Sequence, residues 1–250
     1  MRRHSVVVLV AFLSVITAST ASAQAPADNS WRITIAPYFM GAGESGTAIV
    51  KGHEVVVDAS FSDILENLQF GVMGLAVARK GNWGFGGDAL WMALGANGTT
   101  PGPLALTASV DGNQGAFAFY GLRRLAPYAD LLFGARVNVI QMGLRANGPG
   151  QFSVDGSKTW VDPIAGVLLR TPERGKRWHA QVYTEIGGFG AGSDFTWQVF
   201  PTVGVNVGKA MSIEFGYRWL DLDYTTGEGL SQFTWDVLAQ GPIVGFVFRF

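Results

Sequence analysis

The sequence predicts an all-β chain, an antiparallel up-and-down β-barrel of about ten strands that crosses a membrane, and three observations carry the prediction. Apolar and polar residues alternate with period two over most of the chain, whereas helix-period stripes are nearly absent. Only 15% of the residues are charged against 48% hydrophobic, below the roughly 25% charge of soluble proteins. Short and long connections follow one another in turn, as in a barrel whose turns face one side of a bilayer and whose loops face the other.

The first segment is an address rather than a part of the fold. Arg2, Arg3 and His4 precede an apolar stretch over 6–16, and small residues end in Ala21-Ser22-Ala23. This is the order of a cleaved secretory signal, here 1–23, and the stretch is too short for a membrane helix. A linker over 24–30 then leads to one barrel domain, 31–250.

The first strand starts at Trp31, with Ile33, Ile35, Pro37 and Phe39 on one face and Arg32, Thr34, Ala36 and Tyr38 on the other. Residues 45–67 read as a small hairpin followed by a helical turn at 61–67, a segment suited to a loop or a plug. Tight joints follow at Lys80-Gly81-Asn82, Ala126-Pro127, 171–176 and Gly208-Lys209, and roomier ones at 97–103, 147–151 and 226–231. Asp111-Gly112-Asn113 has hairpin chemistry, but 104–110 is shorter than the ~9–11 residues of a spanning strand. It therefore reads as part of one strand that projects above the membrane. Two late strands alternate strictly, Phe195 to Val207 and Ile213 to Trp219. If 55–59 also crosses the membrane the count changes, so eight and twelve strands stay open.

Alternation alone does not say which face meets water. The polar faces hold Gly, Thr, Asn and Gln with few charges, unlike a soluble exterior. Trp31, Trp83, Trp178, Trp219, Tyr224 and Trp235 stand near strand ends, as in the aromatic girdles of lipid boundaries. The polar face is then the lumen, and alternation sends Arg32, Asp88, Arg123, Asp130, Arg136, Asp162, Arg170, Glu185, Glu214, Arg218 and Arg249 inward. Opposite charges can pair across such a lumen, which disfavours a wide pore, and no one-sided ring of charge stands out. The competing assignment of faces gives a soluble periplasmic, lipocalin-like binding barrel.

Other chemistries find little support. A net charge of -1 offers no basic surplus for nucleic acid. The absence of Cys removes disulfides and thiolate sites. Gly41-Ala42-Gly43-Glu44-Ser45-Gly46 matches a dinucleotide fingerprint but runs into strand-like residues, so no helix N-terminus follows to hold a pyrophosphate. Asn97-Gly98-Thr99 marks an exposed loop. Neither a cofactor nor a metal is expected. His53 and His179 are far apart in sequence, and His179 shares a face with Gln181, Tyr183 and Glu185, so it reads as a lumenal hydrogen-bonding group. Asp221 and Asp223 share one face with Tyr217 and Trp219, and therefore lie above the lipid or follow a bulge that turns them inward.

The last strand puts Val244, Phe246, Phe248 and Phe250 on one face. This resembles the C-terminal signal by which the barrel-assembly machinery recognises bacterial outer-membrane barrels. Over 31–250 the chain is similar to the small, mostly uncharacterised outer-membrane β-barrel proteins of proteobacteria, most clearly at 31–38, 57–68, 81–91 and 216–224. The resemblance implies residence in the outer membrane with lipid and lipopolysaccharide as partners, and it carries over no catalytic residue. A non-enzymatic barrel with a narrow or plugged, charged lumen is expected, with a structural, adhesive or small-solute channel role. The alternative is an outer-membrane enzyme acting on lipid or protein. Outer-membrane aspartyl-type proteases place carboxylates at the outer rim, so Asp221, Asp223 and His179 are then the candidate residues.

Overall fold

The computed structural model describes residues 30–99, 107–147, 151–171 and 177–250. The signal segment 1–23 and most of the linker lie outside them. Thirteen elements matter, in chain order β1 (Arg32–Met40), β2 (Gly43–Val50), β3 (His53–Ala59), α1 (Phe61–Asn67), β4 (Leu68–Lys80), β5 (Trp83–Thr99), β6 (Thr107–Ala126), β7 (Ala129–Asn147), β8 (Gln151–Arg170), β9 (Trp178–Gly187), β10 (Phe195–Val207), β11 (Met211–Thr226) and β12 (Phe233–Arg249).

Neighbours from β4 to β12 are consecutive and antiparallel, and β12 closes the ring on β1, which pairs with β4. The wall is a closed up-and-down barrel of 10 strands with 2 outer strands. The outer pair arises because β12 is long. Its end from Ile243 to Arg249 pairs with β1, whereas Phe233 to Gln240 pair with β2. The chain steps between the two at Gly41-Ala42, where a side chain on Gly241 would collide with the Gly41 carbonyl. Residues 55–59 thus belong to an outer hairpin and not to a stave. Its tight turn is Lys51-Gly52, both at positive φ, the geometry that matches strand twist.

The strand at Asp111-Gly112-Asn113 runs unbroken, and β6 and β8 are 20 residues each. That is about twice the ~9–11 residues needed to cross a bilayer. The joint at 147–151 is shorter than its composition suggests, because β7 runs to Asn147 and β8 starts at Gln151.

The barrel has two levels of opposite polarity. Near the end that carries β1's start and β12's end, outward side chains are apolar: Phe85, Phe119, Leu131, Phe133, Phe215, Val244 and Phe246 are all exposed. Trp83 to Trp91 on β5 and Leu131 to Val139 on β7 bound this band at about nine residues, the reach of one bilayer crossing. Trp31, Trp83, Tyr128 and Trp178 rim it at one side. Stacked Trp91 and Phe117 with adjacent Tyr217 and Trp219 rim it at the other. Inside the band Arg136, Asp162 and Glu185 are 1%, 0% and 3% exposed. This is the surface and filling of a barrel immersed in lipid.

Beyond the second rim the polarity inverts. Ile140, Trp160, Leu220, Leu222, Phe233, Trp235 and Val237 pack inward as one apolar core. Outward stand Asp221, Asp223 and Asp236, and an exposed pair of Arg145 and Asp111 at 3.2 Å. Tyr224 and Trp235 are therefore not girdle residues. Tyr224 stacks on Trp160 with ring centroids 4.1 Å apart, and Trp235 is buried. Above the lipid, water surrounds the wall, so the large rings go inside.

Helix α1 lies in the wall rather than across the lumen. Ser60 caps it, accepting from the Asp63 N–H while the Asp63 carboxylate accepts from the Ser60 N–H, a reciprocal capping box. Phe61 packs edge-on against outward-facing Phe39, Leu65 is exposed, and Ile64 is buried. The helix fills the notch where β3 lacks a second strand partner among the described residues, above the start of β4. An apolar crevice lined by Phe39, Phe61, Ile64, Leu65, Met73 and Met92 runs beneath it.

Candidate functional site: the lumen and its mouths

Alternation aims one residue in two at the axis, and the barrel closure brings strands far apart in sequence face to face. At mid-lumen Arg218 from β11 is held by three others. It meets the Asp88 carboxylate at 2.7 Å, donates to the Tyr38 hydroxyl at 2.7 Å, and donates from Nε and Nη2 to Gln198 Oε1 at 3.1 and 2.6 Å. Tyr38 in turn donates to Asp88 at 2.7 Å. Beside it Arg136 pairs with Glu185 and donates to Thr196 Oγ1 at 3.0 Å, and Tyr183 donates to Glu185. Each buried guanidinium here has its own carboxylate, which is what makes burial of the charges tolerable.

Asp162 does something different. It accepts from Asn138 Nδ2 at 2.6 Å, and from the Ser193 N–H and hydroxyl at 2.5 and 2.9 Å. Ser193 also accepts from Trp160 Nε1 at 2.8 Å. The connection between β9 and β10 is thereby pinned into the barrel, where Ser193 is wholly buried. Above it the apolar core takes over the interior.

At the terminus-side mouth the carboxylate of Asp130 meets Arg79 at 2.5 Å, Arg170 at 2.7 Å and Arg124 at 3.7 Å. Across the mouth Glu214 meets His179 Nε2 at 2.6 Å, accepts from Ser212 Oγ at 2.9 Å, and has Arg249 at 4.0 Å.

Ten of the eleven charges expected inside stand on the inner face, Arg32 at its exposed rim. Arg123 does not. It points outward and stacks over the Trp83 ring at 4.6 Å, where a guanidinium at a lipid boundary gains cation–π attraction while reaching water. Its neighbour Arg124 takes the inward place. Arg124 and Arg79 were missed by sequence reasoning, whereas Tyr38 and Gln198 stood on the polar faces but were given no part in the network. Phe117 and Phe119 carried the signal for Arg124, because with both facing lipid only even positions of β6 can face the lumen. Counting Arg79 and Arg124 inside also overturns the expectation of no one-sided charge, since the Asp130 mouth is strongly basic.

Asp221 and Asp223 face outward just beyond the aromatic rim, without a bulge, for the register of β11 with β12 is unbroken from Met211 to Thr226. Partial burial and the nearby carboxylates of Asp236 and Asp223 push the Asp221 pKa up to about 6. Burial, Asp236 and Asp194 likewise raise that of Asp223. His179 lies at the opposite end of the barrel, so the three candidate residues do not converge. No group of metal-ligating side chains occurs among the described residues.

Val244, Phe246 and Phe248 alternate outward on β12, followed by exposed Phe250. No family model matches the chain and no curated protein matches it. The solved structures to which the chain is similar include three barrels. The translocator domain of the autotransporter NalP from Neisseria meningitidis has a TM-score of 0.46 and 12% identity over 88% of this chain and 89% of that one. The attachment invasion locus protein Ail of Yersinia pestis has 0.34 and 14% over 88% and 98%. The toluene transporter TodX of Pseudomonas putida has 0.32 and 10% over 90% and 91%.

Proposed function

We propose that this chain is an integral protein of the bacterial outer membrane, without enzymatic activity, whose lumen is sealed and whose working surface is the part of the barrel that projects beyond the bilayer. Its role in this reading is structural or adhesive. One observation carries it: inward side chains fill the barrel from the Asp130 mouth through the paired charges to the apolar core around Trp160 and Trp235. A water-filled path would need the polar lining to continue upward, and above Arg218 it gives way to Met92, Ile140, Leu220 and Leu222, with Glu44 and Gln114 buried among them. The apolar band supports lipid as the partner of the outer wall, with lipopolysaccharide around the second aromatic rim. The outward row on β12 supports recognition by the barrel-assembly machinery. Purified protein in planar lipid bilayers is expected to give no steady conductance. Large, stable single-channel steps would overturn the reading.

A further inference from the structure

Among the described residues, the arginines inside the barrel are matched by carboxylates except at one mouth. Arg218 has Asp88, Arg136 has Glu185, and Arg249 with His179 has Glu214. Asp130 alone serves Arg79, Arg124 and Arg170, delivered by β4, β6 and β8. A fourth guanidinium, Arg32, stands opposite Arg79 in the register of β1 and β4.

Four positive groups around one carboxylate leave an excess that solvent can only partly screen, because the wall beside it is protein and lipid. The exposure pattern says where the excess is presented. Asp130 is 0% exposed, whereas Arg79, Arg170 and Arg124 keep 13%, 15% and 23% of their side chains open to the mouth. Asp130 thus holds three guanidinium forks from the lumen side. The exposed parts of these three side chains, with Arg32 at the rim, are what an anion arriving from outside would meet. Several forks at fixed spacing suit a multiply charged tetrahedral oxyanion better than a single planar carboxylate, since such a ligand offers each fork its own oxygen.

We propose that the terminus-side mouth is a binding site for a phosphate-class dianion, held by Arg79, Arg124, Arg170 and Arg32 with Asp130 as the resident anion that orders them. The site does not depend on whether the lumen conducts.

The test is calorimetric titration of the full mature barrel in detergent with inorganic phosphate, and separately with sulfate and acetate, at constant low ionic strength. Phosphate and sulfate are expected to saturate one site and to compete, with acetate weaker by about tenfold or more. Arg170→Gln is expected to weaken phosphate about tenfold, the effect of one charge-assisted hydrogen bond. Asp130→Asn keeps an oxygen that accepts from the guanidiniums and removes the competing charge, so it is expected to tighten phosphate by a similar factor. A folded Asp130→Asn protein that binds phosphate no more tightly overturns the proposal. Arg145→Gln, at the far end of the barrel, leaves it unchanged. Heat-modifiability on a gel verifies that each variant is folded. If Asp130→Asn does not fold, Arg124→Gln replaces it, with a loss expected. Failure to saturate, equal binding of acetate, or an Arg170→Gln protein that binds like the original overturns the proposal.

Discussion

The lipid-level half of this barrel and its projecting half are built from the same strands, yet each is the other turned inside out. On β11, Phe215, Tyr217 and Trp219 face out while Glu214 and Arg218 face in; a few residues further, Asp221 and Asp223 face out while Leu220 and Leu222 face in. The alternation never slips, so the backbone does not distinguish the halves. The surroundings do. Where lipid lies outside, burial in the lumen is the only place for charge; where water lies outside, the lumen becomes an ordinary hydrophobic core.

The sharpest way to break the comparison is to remove one partner of a lumenal pair. Arg136→Met strands Glu185 in the interior and is expected to cost about 3–5 kcal/mol, read as a lowered midpoint in urea unfolding from lipid vesicles. Adding Glu185→Met is expected to restore most of the loss. In the projecting half, Leu222→Ala takes no partner from an ion and is expected to cost about 2–5 kcal/mol through the cavity it leaves, with no rescue by a second substitution at Glu185.

A smaller effect separates the outer faces. Val137→Arg places a guanidinium on the lipid band and is expected to cost about 2–4 kcal/mol. Thr225→Arg on the projecting wall is expected to stay within about 0.5 kcal/mol of the original. Equal costs at both positions would place the projecting half in lipid as well.

The smallest effect concerns pH. Because the Asp221 pKa is raised to about 6 in the folded barrel, the folded state holds this proton more tightly than the unfolded chain. Stability from this group therefore rises as pH falls through about 6 toward the ordinary carboxylate range. Asp221→Asn is expected to stabilise the barrel at neutral pH and to flatten that rise in melting temperature.

Most of the wall was legible because a strand's faces follow from its own residues. Trp31 to Phe39, the helical turn 61–67 and the uninterrupted strand through Asp111 all stand where alternation and turn chemistry put them. The errors share one cause. Arg123 and Arg124 are adjacent, and deciding which faces the lumen requires knowing that Phe117 and Phe119 face lipid. Tyr224 and Trp235 resemble girdle residues until the height at which lipid gives way to water is known.

The sequence by itself determined most of the strands, their two faces and most of the inward charges, because these depend on local alternation and backbone chemistry. Only the tertiary structure decided that ten strands close, that β12 is shared between β1 and an outer hairpin, and that three arginines meet at Asp130. Those facts depend on the stagger of strands around the ring, and stagger sets which distant residues share a level.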